Sequence, residues 1–255
     1  MDFTISFTHW DALLLVVVTG LATLVAYLHQ PRWKAIALSV PLPFTCATLA
    51  LGKPVDVTQI SGLVLLLAFI NAVRLLHCRL RVPIVASIAI PAVAYAVVGT
   101  ALARVLPSTT TSFWIGVAAA MAAVCSLHAA MAPRKEPGHR SPLPLWLKLP
   151  TIVGVVLLLI VIKQLLRGFM AMFPMVSLIT AYEARHSLWT VCRQLNIFGF
   201  AFVGMIVTIW LVQQRLSLGV SLVAGWVVFL LVIVPLTWRT WFAIPEIQGT
   251  SYEQS

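Results

Sequence analysis

The chain has 255 residues, 61% of them hydrophobic and 9% charged, with 17 Lys and Arg against 7 Asp and Glu for a formal net charge of +10. No water-soluble domain of this length carries that composition, and its mean hydropathy of +1.00 says the same. The basic residues are scattered in short stretches between apolar runs, which marks them as membrane-topology signals and excludes a nucleic-acid patch.

A bilayer core of about 30 Å takes roughly 20 apolar residues per helix, and the runs here are continuous rather than alternating, so helices are expected and a barrel is not. The opening M-D-F-T-I-S-F-T-H-W-D is acidic where a secretory signal would be basic, and no small-residue cleavage pattern follows it, so it is expected to stay on the chain. Spans are then predicted at 11–29, at 35–52 around V-P-L-P-F-T, at 57–77 and at 82–105. A fifth, at 112–131, is dense in small residues (G-V-A-A-A-M-A-A-V-C-S-L-H-A-A), which suits close helix packing. The polar stretch A-P-R-K-E-P-G-H-R-S-P-L-P reads as a flexible connector between two halves. Further spans are predicted at 146–163, 166–184, 190–213 and 217–237, nine in all. The sixth is the weakest, with only fourteen residues between Lys148 and Lys163, so both lysines would have to snorkel.

Counting Lys and Arg on alternate sides gives twelve against five, which sets the N-terminus outside and the C-terminus in the cytoplasm. Most tryptophans fall near span ends; Trp226 alone lies deep in a span.

The two halves share an ordered set of residues. Gly20, Gln30, Lys34 and Pro41 are followed at an offset near 134 by Gly154, Gln164, Arg167 and Pro174. Gln59-Ile60-Ser61 lines up with Gln194-Leu195-Asn196, and Arg79-Leu80 with Arg215-Leu216. Shared hydropathy of any two polytopic halves is the competing explanation. A duplication of four helices, spans one to four and six to nine, accounts for order and spacing together. The offset contains five spans, an odd number, so the copies would be inverted, with span five as the linking helix. The expected fold is therefore an all-α polytopic membrane protein with two inverted four-helix repeats. Its parts are 1–131 (first repeat plus linking helix), 132–145 (cytoplasmic connector), 146–238 (second repeat) and 239–255 (cytoplasmic tail).

The run F-P-M-V-S-L-I-T-A-Y at 173–182, entered through Arg167, resembles the central motif of the small four-helix GlpM-like membrane proteins. In those a Pro-Leu-Phe-Pro run leads into an aliphatic helix ending in tyrosine. V-P-L-P-F-T at 40–45 is similar to a degenerate version, with Leu49 and Ala50 where the tyrosine and the acid would stand. The likeness covers 149–238 well and the first half poorly. It implies a fused pair of units that elsewhere occur singly and an inner-membrane location, and it supplies no substrate.

Pro41, Pro43 and Pro174 fall at mid-depth of spans two and seven, where a proline frees a backbone carbonyl. Paired broken helices line central sites in inverted-repeat transporters; packing kinks are the alternative. Lys34 and Arg167 stand at the N-terminal ends of these spans, where the helix dipole disfavours a cation unless an anion is present; interfacial snorkelling is the alternative. Glu183 is placed to pair with Arg193 or to carry a coupling proton. Gln164, Asn71 and Asn196 complete the polar candidates for a substrate path.

No catalytic constellation, phosphate loop or metal-ligand spacing is found. The six histidines are dispersed, and Cys46, Cys78, Cys125 and Cys192 read as packing residues. An enzyme, a cofactor and a metal are not expected. The expected partners are the bilayer and a small solute, with a homodimer left open. Two functions compete: a small permease for an anionic solute or lipid headgroup, and a non-transporting membrane partner in an envelope-polysaccharide or lipid pathway. The first puts the polar residues of spans two, three, seven and eight around one cavity. The second puts them on the rim of a dry bundle.

Overall fold

The computed structural model describes residues 9–132 and 166–241, and between them only positions 134, 136, 150, 153, 154 and 157. Every regular element among the described residues is a helix. In chain order these are α1 (His9–Tyr27), α2 (Pro31–Leu38), α3 (Leu42–Leu51), α4 (Val57–Arg74, continued by one π turn at Leu75–Arg79), α5 (Ile84–Val105) and α6 (Thr110–Ala129). A 3-10 segment (Arg167–Met172), α7 (Met175–Glu183), α8 (Leu188–Val212) and α9 (Leu218–Trp241) follow. Seven helical stretches among the described residues are long and apolar enough to cross a membrane, with α2 and α3 together counting as one. The chain is an all-helical membrane protein. Exposed Val85, Ile90, Val93 and Val97 on α5 and Val223, Val227, Leu231 and Val234 on α9 would drive aggregation in water and are ordinary against lipid.

The predicted spans outside 146–184 match these helices to within a few residues. The sixth lies outside the described residues. The seventh is a 3-10 segment and a nine-residue helix rather than one continuous span. Of the connector, Ala132, Arg134 and Glu136 are held against the start of α8. The Trp189 indole N–H donates to the Ala132 carbonyl at 2.8 Å, and the Thr190 amide donates to the Glu136 carboxylate at 2.7 Å. The guanidinium groups of Arg134 and Arg74 lie 4.0 and 4.9 Å from the centre of the Trp189 ring.

Local chemistry fixes the helix ends that set the packing. Asp56 opens α4 with a capping box, taking the Thr58 amide on its carboxylate while Gln59 takes the Asp56 amide. Gly52 closes α3 at φ +60°, a left-handed conformation that glycine adopts without strain. A Cβ on Gly168 would come within 1.9 Å of Thr58 Oγ1, so the 3-10 segment can lie against α4 only as glycine. Helix α6 packs between α4 and α8, its Gly116 taking Ile60 of α4 and its Val124 meeting Gly199 of α8.

The elements run in opposed pairs. The Gln213 side chain, just past the end of α8, exchanges hydrogen bonds with the backbone of Val55 before α4, at 2.8 and 2.6 Å. At the other end Cys192, early in α8, lies against the Ile70 carbonyl late in α4. Hence α4 and α8 are antiparallel. The start of α2 likewise meets the end of α7 through Lys34 and Glu183. Across the bundle, α2 packs on α8 as the 3-10 segment packs on α4, α2 on α7 as the 3-10 segment on α3, and α5 on α7 as α9 on α3. The exchange is approximate, because α5 also touches the 3-10 segment and α4 touches α7, contacts whose images are weaker or missing.

Candidate functional site

Prolines break both central helices at equivalent places. In the first, α2 ends at Leu38 and α3 begins after Pro41; in the second, the 3-10 segment ends at Met172 and α7 begins after Pro174. The backbone solves the missing N–H identically. Ala37 and Met170, four residues before Pro41 and Pro174, give their carbonyls instead to the amides of Val40 (3.4 Å) and Phe173 (3.0 Å). The carbonyls of Pro41 and Pro174 then accept Thr45 (3.1 Å) and Leu178 (2.8 Å), restarting the helix. All four pairs are related by an offset of 133.

The two breaks face one cavity of about 60 Å³, lined by Pro41, Pro43, Phe44, Phe173, Pro174 and Ser177, with Phe198 and Phe202 of α8 and Leu66 of α4 among the other walls. Both α3 and α7 therefore present their N-terminal turns to the same space, and neither has a side-chain cap. The Met175 amide is taken by the Phe173 carbonyl at 2.7 Å, and Pro43 has no N–H. The first-turn amides that can face the cavity without an intrahelical partner are therefore those of Phe44, Val176 and Ser177, at helix N-termini that carry partial positive charge. Ser177, in the first turn of α7 and only 4% exposed, lines the cavity, and its hydroxyl makes no hydrogen bond among the described residues. No Lys, Arg, Asp or Glu lines the cavity among the described residues.

Each break is held by an aromatic donor from an outer helix of the opposite half. Trp226 of α9 donates its indole N–H to Thr45 Oγ1 at 2.9 Å, and Thr45 in turn donates to the Pro41 carbonyl at 3.0 Å. Tyr95 of α5, fully enclosed, donates its hydroxyl to the Phe169 carbonyl at 3.0 Å and packs edge-on to Phe173 at 5.2 Å. Sequence reasoning noticed Trp226 as the one tryptophan deep in a span but gave it no task. Tyr95 and Ser177 were missed, although Ser177 sits inside the quoted F-P-M-V-S-L run.

The structure brings Pro41, Pro43 and Pro174 together and places the polar candidates elsewhere. Lys34 is 1% exposed, and its ammonium donates at 3.0 Å to the backbone carbonyl of Glu183, the last residue of α7. A cation at a helix C-terminus meets carbonyl oxygens and the negative end of the dipole. Lys34 thus caps the half-helix whose other end faces the cavity. Glu183 and Arg193 are themselves buried, at 1% and 7% exposure. Asn71 bonds the Leu67 carbonyl of its own helix, and Asn196 bonds the Met131 sulfur; the amide oxygen of each is buried without a partner. Neither lines the cavity. The Arg167 backbone starts the 3-10 segment while its side chain lies outside the description, as does Gln164 altogether.

Compared with known protein families, with characterised proteins and with solved structures, the chain matches none.

Proposed function

We propose that the chain is a small permease of the inner membrane, built of two inverted four-helix copies, that passes a small anionic solute through the space between its two broken helices. The observation that carries the reading is the convergence of the uncapped N-terminal turns of α3 and α7 on one cavity. Half-helices that meet N-terminus to N-terminus inside a bilayer provide donors and positive potential where lipid offers neither. The antiparallel course of α4 and α8 and the reciprocal packing of the broken helices support inversion of the copies. Nine spans, the outward N-terminus and the likeness of the second half to a GlpM-like unit belong to the same proposal.

The test is flux through proteoliposomes of the purified chain, with a panel of small anions, neutral solutes and headgroup-labelled lipid. Selective anion flux above protein-free vesicles is the expected result. Absence of flux for the whole panel would contradict the reading.

One observation favours the second reading, a non-transporting membrane partner: Lys34, Asn71, Glu183, Arg193 and Asn196 all lie off the cavity. On that reading the buried polar groups serve only cohesion, and the chain would co-purify with components of an envelope-polysaccharide or lipid pathway while vesicles stayed tight.

A further inference from the structure

We infer that the cavity between the two broken helices binds one small, weakly hydrated monovalent anion, held by backbone amides and the Ser177 hydroxyl rather than by Lys34. The inference deepens the permease reading and rests on it for traffic across the membrane, although binding is measurable on its own. Two helix N-termini carry about half an elementary charge each, so together they balance roughly one negative charge and not two. With no cation among the described residues of the lining, a dianion would keep a charge uncompensated among these walls.

Size narrows the class further. A water needs on the order of 10–15 Å³ of such space, so about 60 Å³ corresponds to roughly four to six water positions and holds a halide or nitrate with only part of its hydration shell. A sugar phosphate or a lipid headgroup is too large. Leu21, Leu66, Phe198 and Phe202 cannot replace lost hydration, so anions that shed water readily, such as nitrate and iodide, are preferred to chloride and fluoride.

Ser177 makes the site more than two helix ends. Its side chain is buried, borders the cavity and makes no hydrogen bond among the described residues, so its hydroxyl is a donor facing that space. In the first half its counterpart at the offset of 133 is Phe44, so only one break offers a side-chain donor.

The experiment follows thermal unfolding of the full chain in detergent as sodium nitrate replaces sodium gluconate at constant ionic strength. The wild-type midpoint should rise saturably with nitrate and stay unmoved by sulfate. Ser177→Ala should weaken the apparent nitrate affinity roughly ten- to hundredfold, the loss of one hydrogen bond to a charged group. Ser177→Asp should melt at or above wild type in gluconate and ignore nitrate, because its carboxylate would occupy the place prepared for an anion. A merely structural serine predicts the reverse, a buried acid that lowers the midpoint. An unresponsive wild type, an equal response in Ser177→Ala or a low-melting Ser177→Asp overturns the inference. Nitrate binding without nitrate flux in vesicles keeps this site and removes the permease reading. Flux of another solute without nitrate binding removes this site and keeps the permease.

Discussion

Lys34 shows how a residue's neighbours assign its task. Its position at the start of a helix puts a cation where the dipole is unfavourable, yet its ammonium reaches the end of α7, where the same charge is welcome. Lys34→Met keeps most of the stem's packing and deletes the donor, and should lower stability by about 2–3 kcal/mol in thermal unfolding, the range for a lost bond from a charged group. An unchanged or raised midpoint would mean that the capping bond contributes nothing. Trp226→Phe keeps an aromatic ring in α9 but removes the N–H that Thr45 accepts, and should cost about 1 kcal/mol. Tyr95→Phe, acting on the other break, should cost a similar amount, and the two losses should add because the sites share no partner. Coupling of the two costs, read from the double variant, would contradict independent support of the breaks. The sequence could not show these bonds, since Lys34 and Glu183 are 149 positions apart and Trp226 and Thr45 are 181. Their partners depend on which helix end arrives beside them.

At the level of elements, the breaks were legible because proline acts locally. Each proline lacks an N–H, and Pro41 and Pro174 stand as the N-caps of α3 and α7, while Pro43 sits in the first turn of α3 and Pro91 and Pro235 lie inside the continuous helices α5 and α9. The 3-10 course of the segment before Pro174 was not legible, because it follows from contact with α4. Gly168 lies against Thr58 and Gln59, and a Cβ on Gly62 would meet Met172 at 2.8 Å. Gly168→Ala should therefore push the segment off α4 and cost about 2–3 kcal/mol, the scale of overpacking. Gly20→Ala, in α1 with nothing within 4 Å, should be neutral or stabilise by up to about 1 kcal/mol. Equal effects of the two alanines would deny the close approach of the segment to α4. The polar candidates fared differently, for hydropathy reports that Asn71 and Asn196 lie in spans but not which way each faces, and both face away from the cavity.

For the molecule as a whole, the account rests on two copies running in opposite senses around a shared centre. Opposed α4 and α8, reciprocal packing of the two broken helices and α6 lodged between α4 and α8 are the observations behind it. The proposed inversion has parity as its consequence: an odd number of crossings would separate equivalent residues, and the two ends of the chain would lie on opposite sides of the membrane. Composition made the membrane legible, and the matched prolines are what motivates the proposed duplication. Inversion depended on counting spans, and the count passes through 146–163, the weakest run in the sequence. The most direct measurement is a reporter active only in the cytoplasm, placed in turn at the N-terminus, within the connector at Gly138 and after Ser255. The account predicts activity at Gly138 and after Ser255 and none at the N-terminus; activity at both ends would mean an even number of crossings and would contradict the inverted copies.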